Sequence, residues 1–149
     1  MELATSKILV QLSEQDRSQV ELELGEVNQQ IQQMQQRIQQ ADKQIRQLHQ
    51  QRDQMMKQLS NAATLQDYNT SLIELQQIIT STQYNLTQME EHKIGVLQRM
   101  KEACRTHHAY QTVHDKEQNR QQREQELHNQ RQLDDLVGSR VARSGRGGI

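Results

Sequence analysis

From Val20 onward, apolar side chains recur at alternating spacings of four and three residues: Val20, Leu24, Val27, Ile31, Met34, Ile38, Ala41, Ile45, Leu48, then Arg52, Met55 and Leu59. Leu24, Ile31, Ile38, Ile45, Arg52 and Leu59 occupy heptad a positions, and Val20, Val27, Met34, Ala41, Leu48 and Met55 occupy d positions. A seam of two positions in seven is narrower than the apolar stripe of a globular helix. It predicts a coiled coil.

The pattern stops at Ser60-Asn61-Ala62-Ala63-Thr64. Asn61 tolerates the left-handed conformation that ends helices, and Thr64 three residues before Asp67 resembles a capping box. A second run follows through Tyr68, Leu72, Leu75, Ile79, Thr82, Leu86, Met89, Lys93, Val96, Met100, Ala103, His107 and Tyr110. Two runs of similar length joined by a short connection predict an all-α fold, an antiparallel two-helix coiled-coil hairpin. The expected organisation is a first helix over 1–59, a turn over 60–64, a second helix over 65–138 and a flexible Gly/Arg tail over 139–149. Pairing residues whose numbers sum to 127 sets a against d throughout, with Leu48 on Ile79, Ile38 on Met89 and Val27 on Met100. A seam of that length makes a rod on the order of 60 Å long.

Outside the seam the rules change. Leu3, Ile8, Leu9 and Leu12 keep helical spacing out of phase with the heptads, and the facing segment from His114 to Gln132 is nearly all polar. Leu133, Leu136 and Val137 follow. The seam needs none of these apolar residues. They either pack on one another or offer an apolar patch to a partner.

Composition supports the same picture. The chain has no Phe, Trp or Pro, so large core-filling side chains are missing and nothing forces a helix break. Its 18 basic and 19 acidic residues balance, which leaves no broad field for nucleic acid. A single cysteine, Cys104, excludes an intrachain disulfide framework and fits a reducing compartment. No stretch is long and apolar enough for a bilayer span, and the start lacks a signal-peptide pattern. The expected location is cytoplasmic, touching membrane only through partners.

Candidate chemistry is sparse. Cys104, His107 and His108 have helical i, i+3, i+4 spacing, with His114 two turns on, but there is no fourth zinc ligand and the surroundings are solvated. His107 is therefore read as a seam residue, with no metal or cofactor expected. A Cys/His nucleophile needs a concave, water-excluding site that two helices do not provide. Glu90-Glu91 and Asp134-Asp135 read as solvated faces. The chain is expected to work by binding other proteins, not as an enzyme.

Two segments then resemble a known family. Leu65-Gln66-Asp67-Tyr68, followed by Leu72, Leu75 and Ile78-Ile79, is similar to the opening of the second helix in the FliJ family of the flagellar type III export apparatus. The ending, from Asp115-Lys116-Glu117 through Leu133-Asp134-Asp135-Leu136 to Arg140 and Arg143, resembles that family's C-terminus. The resemblance implies a cytoplasmic stalk or adaptor, peripheral on the inner membrane, serving flagellum assembly and motility, with chemotaxis depending on it. Its implied partners are the export ATPase hexamer, the cytoplasmic domain of the export gate protein, and export chaperones. By the same analogy, the end holding both termini (Leu9, Leu12, Leu133, Leu136, Val137) engages the ATPase ring. The face near the turn (Gln44, Leu48, Gln51, Met55, Ser71, Leu75, Ile78) meets the gate. The alternatives are a generic coiled-coil scaffold and the equivalent stalk of a virulence secretion system. A prefoldin-like subunit needs strands between its helices, for which 60–64 is too short.

Overall fold

Good helix formers without proline let each run extend well past its apolar seam. In the computed structural model, which describes residues 2–58 and 62–147, α1 spans Leu3–Lys57 and α2 spans Ala62–Gly147. The two helices pack against each other as an all-α hairpin, with no strand among the described residues. Lys57 closes α1 with a basic side chain suited to the helix dipole. Beyond it the N–H of Gln58 donates to the Met55 carbonyl at 3.1 Å, a tightened last turn.

Two boundaries differ from the sequence expectation. Ala62, Ala63 and Thr64, assigned to the turn, belong to α2 instead, because two alanines favour helix more than Thr64 favours a cap. Leu59, expected to end the first helix, and Ser60 and Asn61 of the expected turn lie outside the described residues. At the other end α2 runs to Gly147 where a tail from 139 was expected. Gly138 and Gly145 each cost about 1 kcal/mol in a helix but do not break it as proline would.

The chain divides into two compact units, Ser18–Lys101 and Met1–Arg17 with Glu102–Ile149. In Ser18–Lys101 the heptad seam faces inward as expected. Val27, Ile31, Ala41, Leu72, Thr82 and Val96 are buried, and the other described seam positions of the unit are half-buried. The centre of this core is Val27, Ile31 and Val96, with Val20, Leu24, Leu86 and Met89 packed against it.

The register is one heptad away from the expected one. Leu86 packs against the Val27–Ile31–Val96 cluster, whereas a sum of 127 would set it opposite Ala41, about 15 Å along the helix from Ile31. Glu23 pairs with Arg99 and also lies 3.7 Å from His92. A g residue flanked by those two g residues belongs to a register summing to 120. That register places Ile31 on Met89, Leu24 on Val96, Ala41 on Ile79 and Leu48 on Leu72. The helix ends at Lys57 and Ala62 agree, because their numbers sum to 119.

In this register Arg52 faces Tyr68, and its Nε is buried without a hydrogen-bond partner. An unsatisfied buried donor costs about 1–3 kcal/mol. Arg52→Leu should therefore stabilise the hairpin by about 1 kcal/mol, read as a higher midpoint in urea with an unchanged slope.

The unit formed by Met1–Arg17 and Glu102–Ile149 has a seam of its own, with different chemistry. Leu3, Ser6, Val10, Ser13 and Arg17 take up the same four-three spacing, and all are buried or half-buried. Leu3 is therefore in phase, contrary to expectation; serines at the intervening d positions hide the repeat. Ile8 and Leu12 face outward and Leu9 is half-buried. Ser6 meets His114 and Ser13 meets His107, pairs whose numbers sum to 120. Leu3 thus corresponds to Glu117, and among the described residues no helix faces α2 beyond that point. Every residue from 118 to 145 is exposed.

Candidate functional site

Three features of the described residues bear on the faces expected from sequence. The first is a shallow groove within Ser18–Lys101, lined by Gln44, Gln47, Leu48, Gln51, Ser71, Glu74, Leu75 and Ile78. Antiparallel pairing explains it, since Gln44, Gln51, Ser71 and Ile78 are all g positions and therefore share one flank. Leu48 and Leu75 are d residues showing only an edge, half-buried like Ser71 and Ile78. Glu74 is the one charged side chain of the lining. The structure thus gathers six of the seven residues picked from sequence for this face. Met55, the seventh, is half-buried and outside the groove lining.

The second feature is the unpaired length of α2. Leu127, Leu133, Leu136, Val137 and Val141 are all more than half exposed there. Leu133, Leu136, Val137 and Val141 fall at i, i+3, i+4 and i+8, an apolar stripe on one side of the helix. Arg120 supports its base, pairing with Glu117 and Glu124 one turn away on either side. Leu9 and Leu12 are not brought to this stripe. The helix carrying them starts opposite Glu117, some sixteen residues, or about 24 Å, short of Leu133.

The third feature is polar and was missed from sequence. Within the unit containing the termini, Ser13, Glu14, Arg17 and His107 form one connected cluster. Spacing alone could have found it, because Ser6 and Ser13 continue the d positions of α1.

Among exposed pairs, hydrogen bonding to Arg99 holds the Glu23 carboxyl below its ordinary value, with the charges of Arg99 and His92 adding to the effect and loss of solvent opposing it. A carboxyl depressed in the folded state contributes stability above its unfolded titration point, and that contribution is lost as pH falls through the folded one. Arg99→Ala should move the Glu23 titration upward towards that of a free glutamate, as followed by carboxyl-carbon NMR. The pair is solvent-exposed, so the melting temperature should change little.

Cys104 and His108 are exposed while His107 turns into the seam. Among the described residues no three His, Cys, Asp or Glu side chains converge as metal ligands. No helix of the described residues is long and apolar enough to cross a membrane.

An antiparallel hairpin with a low-charge groove on one flank and a bare apolar stripe on an unpaired helix defines a coiled-coil protein whose surface offers docking faces. Its family follows from comparison: the model of the flagellar FliJ protein matches residues 7–146, and the chain belongs to the FliJ family. This is a non-enzymatic family of the flagellar export apparatus. Comparison with curated proteins and with solved structures gives no match.

Proposed function

We propose that this chain is a stalk and adaptor of flagellar type III export, binding the export ATPase ring through the unpaired part of α2 and the cytoplasmic domain of the export gate through the g-flank groove. The observation that carries the reading is the exposed stripe Leu133, Leu136, Val137 and Val141 on a length of helix that no other described residue covers. Contiguous exposed apolar side chains mark protein-binding surfaces, and an amphipathic helix is suited to a groove or channel in another protein. Leu12, exposed on α1, is a separate contact point on the same unit. The groove at Gln44, Leu48, Gln51, Ser71, Leu75 and Ile78 suits a mostly uncharged partner surface. Export chaperones are a third class of partner, for which these same two faces are the available surfaces. The protein works on the cytoplasmic side of the inner membrane and reaches it through the gate.

The test uses the purified full chain with the export ATPase. Addition of the wild-type chain should promote hexamer assembly and raise the ATPase rate. Leu133→Asp combined with Val137→Asp should weaken that binding at least about tenfold, or about 1.4 kcal/mol, and Ile78→Asp should leave it unchanged. Absence of any binding by the wild-type chain would overturn the stalk reading. Equal binding by the double variant would move the ring contact elsewhere on the chain.

A further inference from the structure

Within the Ser18–Lys101 unit, the flank opposite the g-flank groove serves neither the core nor that groove. Antiparallel pairing sets e positions beside e positions. The register summing to 120 therefore places Leu97 of α2 between Glu21 and Asn28 of α1, with Glu90 one heptad along. Ile94 and Gly25, both b positions, widen this e flank outwards, and Leu22 stands at its edge. Leu97 is 45% exposed, Ile94 67% and Leu22 70%. Three large apolar side chains are thus left uncovered by the described residues at one level of the unit.

Two further observations say what this flank would take. The first is charge. Glu21, Glu90 and Glu91 are exposed, and none enters an ion pair among the described residues. His92 and Arg99 are g residues engaged with Glu23 on the opposite flank, and Lys93 lies half-buried in the seam. Only Lys101, one heptad beyond Ile94, brings a positive charge to this stretch of the e flank. The second is Gly25. A Cβ there would meet nothing within 4 Å, so the packing of the hairpin does not call for a glycine, which weakens a helix interior. What a bare backbone permits is the close approach of another chain, and Gly25 lies in a shallow groove lined also by Glu21 and Leu22.

The chain carries the matching half itself. Beyond Asp135, α2 has no acidic side chain through Gly147. Leu136, Val137 and Val141 are exposed there, Arg140 falls on their side of the helix, and Arg143 follows at its edge. We propose that this basic end of α2 docks on the e flank of a second copy. Its apolar side chains would cover Leu22, Ile94 and Leu97, and its arginines would reach the unpaired carboxylates. The two faces differ, so the contact is heterologous and copies join head to tail instead of as a closed pair. A contact one helix wide belongs to the weak class of interface, below about 1,200 Å² in total. Opposite charges give it orientation and make it sensitive to salt. The contact shares its stripe with the stalk reading but does not rest on the ring, and its test uses the chain alone.

Sedimentation velocity of the full-length chain, over about a hundredfold range of concentration, should show association that grows with concentration. It should fall between about 0.1 and 1 M salt, as the screening length shrinks from about 10 to 3 Å. Ile94→Asp with Leu97→Asp should stay monomeric, and so should Val137→Asp with Val141→Asp. All four positions are exposed, so both variants should keep their helix content by circular dichroism. Mixed together, the two variants should form a one-to-one complex that grows no further, because one keeps the stripe and the other keeps the flank. Gly25→Gln should weaken association of the otherwise unchanged chain about tenfold by filling the line of approach. A wild-type chain that is monomeric throughout would overturn the proposal. So would either double variant associating by itself as the wild type does, which would mean like faces pairing, or a mixture of the two that stays monomeric.

Discussion

Replacing Val96 with aspartate should cost the hairpin at least about 3 kcal/mol, enough to abolish cooperative unfolding of the Ser18–Lys101 unit. Val96 has no solvent exposure and packs with Val27 and Ile31 at the centre of the apolar core. In the observed register its layer partner is Leu24, and of the two cations three residues away on α2, Arg99 is committed to Glu23 and Lys93 is a half-buried side chain of the neighbouring seam layer. Because the seam is two side chains wide, water can enter only by parting the helices, so relief of the buried charge means loss of the neighbouring layers too. Ile94→Asp is the matched control. Ile94 is 67% exposed and lies on the outer face, so the same change of charge should alter stability by no more than about 0.5 kcal/mol. Urea unfolding followed by circular dichroism reads both. If Val96→Asp were as mild as Ile94→Asp, the seam would not be the source of stability.

That contrast between neighbours shows what a heptad makes legible. Side-chain facing depends on phase alone, and every described seam position from Val20 to Tyr110 is buried or half-buried. The register depends on something else. A shift of seven residues keeps a opposite d, so the apolar layers of the 120 and 127 pairings look equally good. Polar residues decide between them. Under 127, His107 would face Val20 and leave its ring nitrogens in an apolar layer. Under 120, Ser13 meets His107 and Ser6 meets His114. Buried polar groups demand partners, and this demand was present in the sequence but hidden. Serines at d positions do not register as part of an apolar repeat, so the N-terminal segment looked out of phase. The turn misled in the same direction. Counting Ala62 to Thr64 as connection pushed the reversal later in the chain, towards the larger sum.

The candidate faces were legible to different degrees for related reasons. The groove residues share a flank whichever register holds, because g positions stay with g positions. Six of the seven accordingly line one groove. The fate of Leu133, Leu136 and Val137 depended instead on where α1 ends relative to α2. With the shift to 120, α1 stops seven residues earlier along α2, and a longer piece of α2 is left bare. The register therefore fixes how much apolar helix remains available to a partner.

An engineered disulfide should report that register as an all-or-none result. In a Cys104→Ser background, Ile31→Cys with Met89→Cys should oxidise within one chain, giving a faster-migrating monomer on a non-reducing gel. Ile38→Cys with Met89→Cys should not. The second pair is displaced by one heptad, about 10 Å along the helix axis, far beyond the roughly 3.8 Å between Cβ atoms that a disulfide allows. Ile31 and Met89 belong to the packed cluster, so the bond would lie in the middle of the seam. It would also close a loop of more than fifty residues, stabilising the oxidised chain by about 3–4 kcal/mol if the bond forms without strain. The reverse outcome, with 38–89 closing and 31–89 staying open, would return the hairpin to a sum of 127 and separate Ser13 from His107. Bonds forming only between chains would replace the hairpin with an extended dimer. Helices free to slide would give both intrachain products, in proportion to the time spent in each register; a Ser13→Ala variant should raise the 38–89 fraction if the polar layers are what hold the helices at 120.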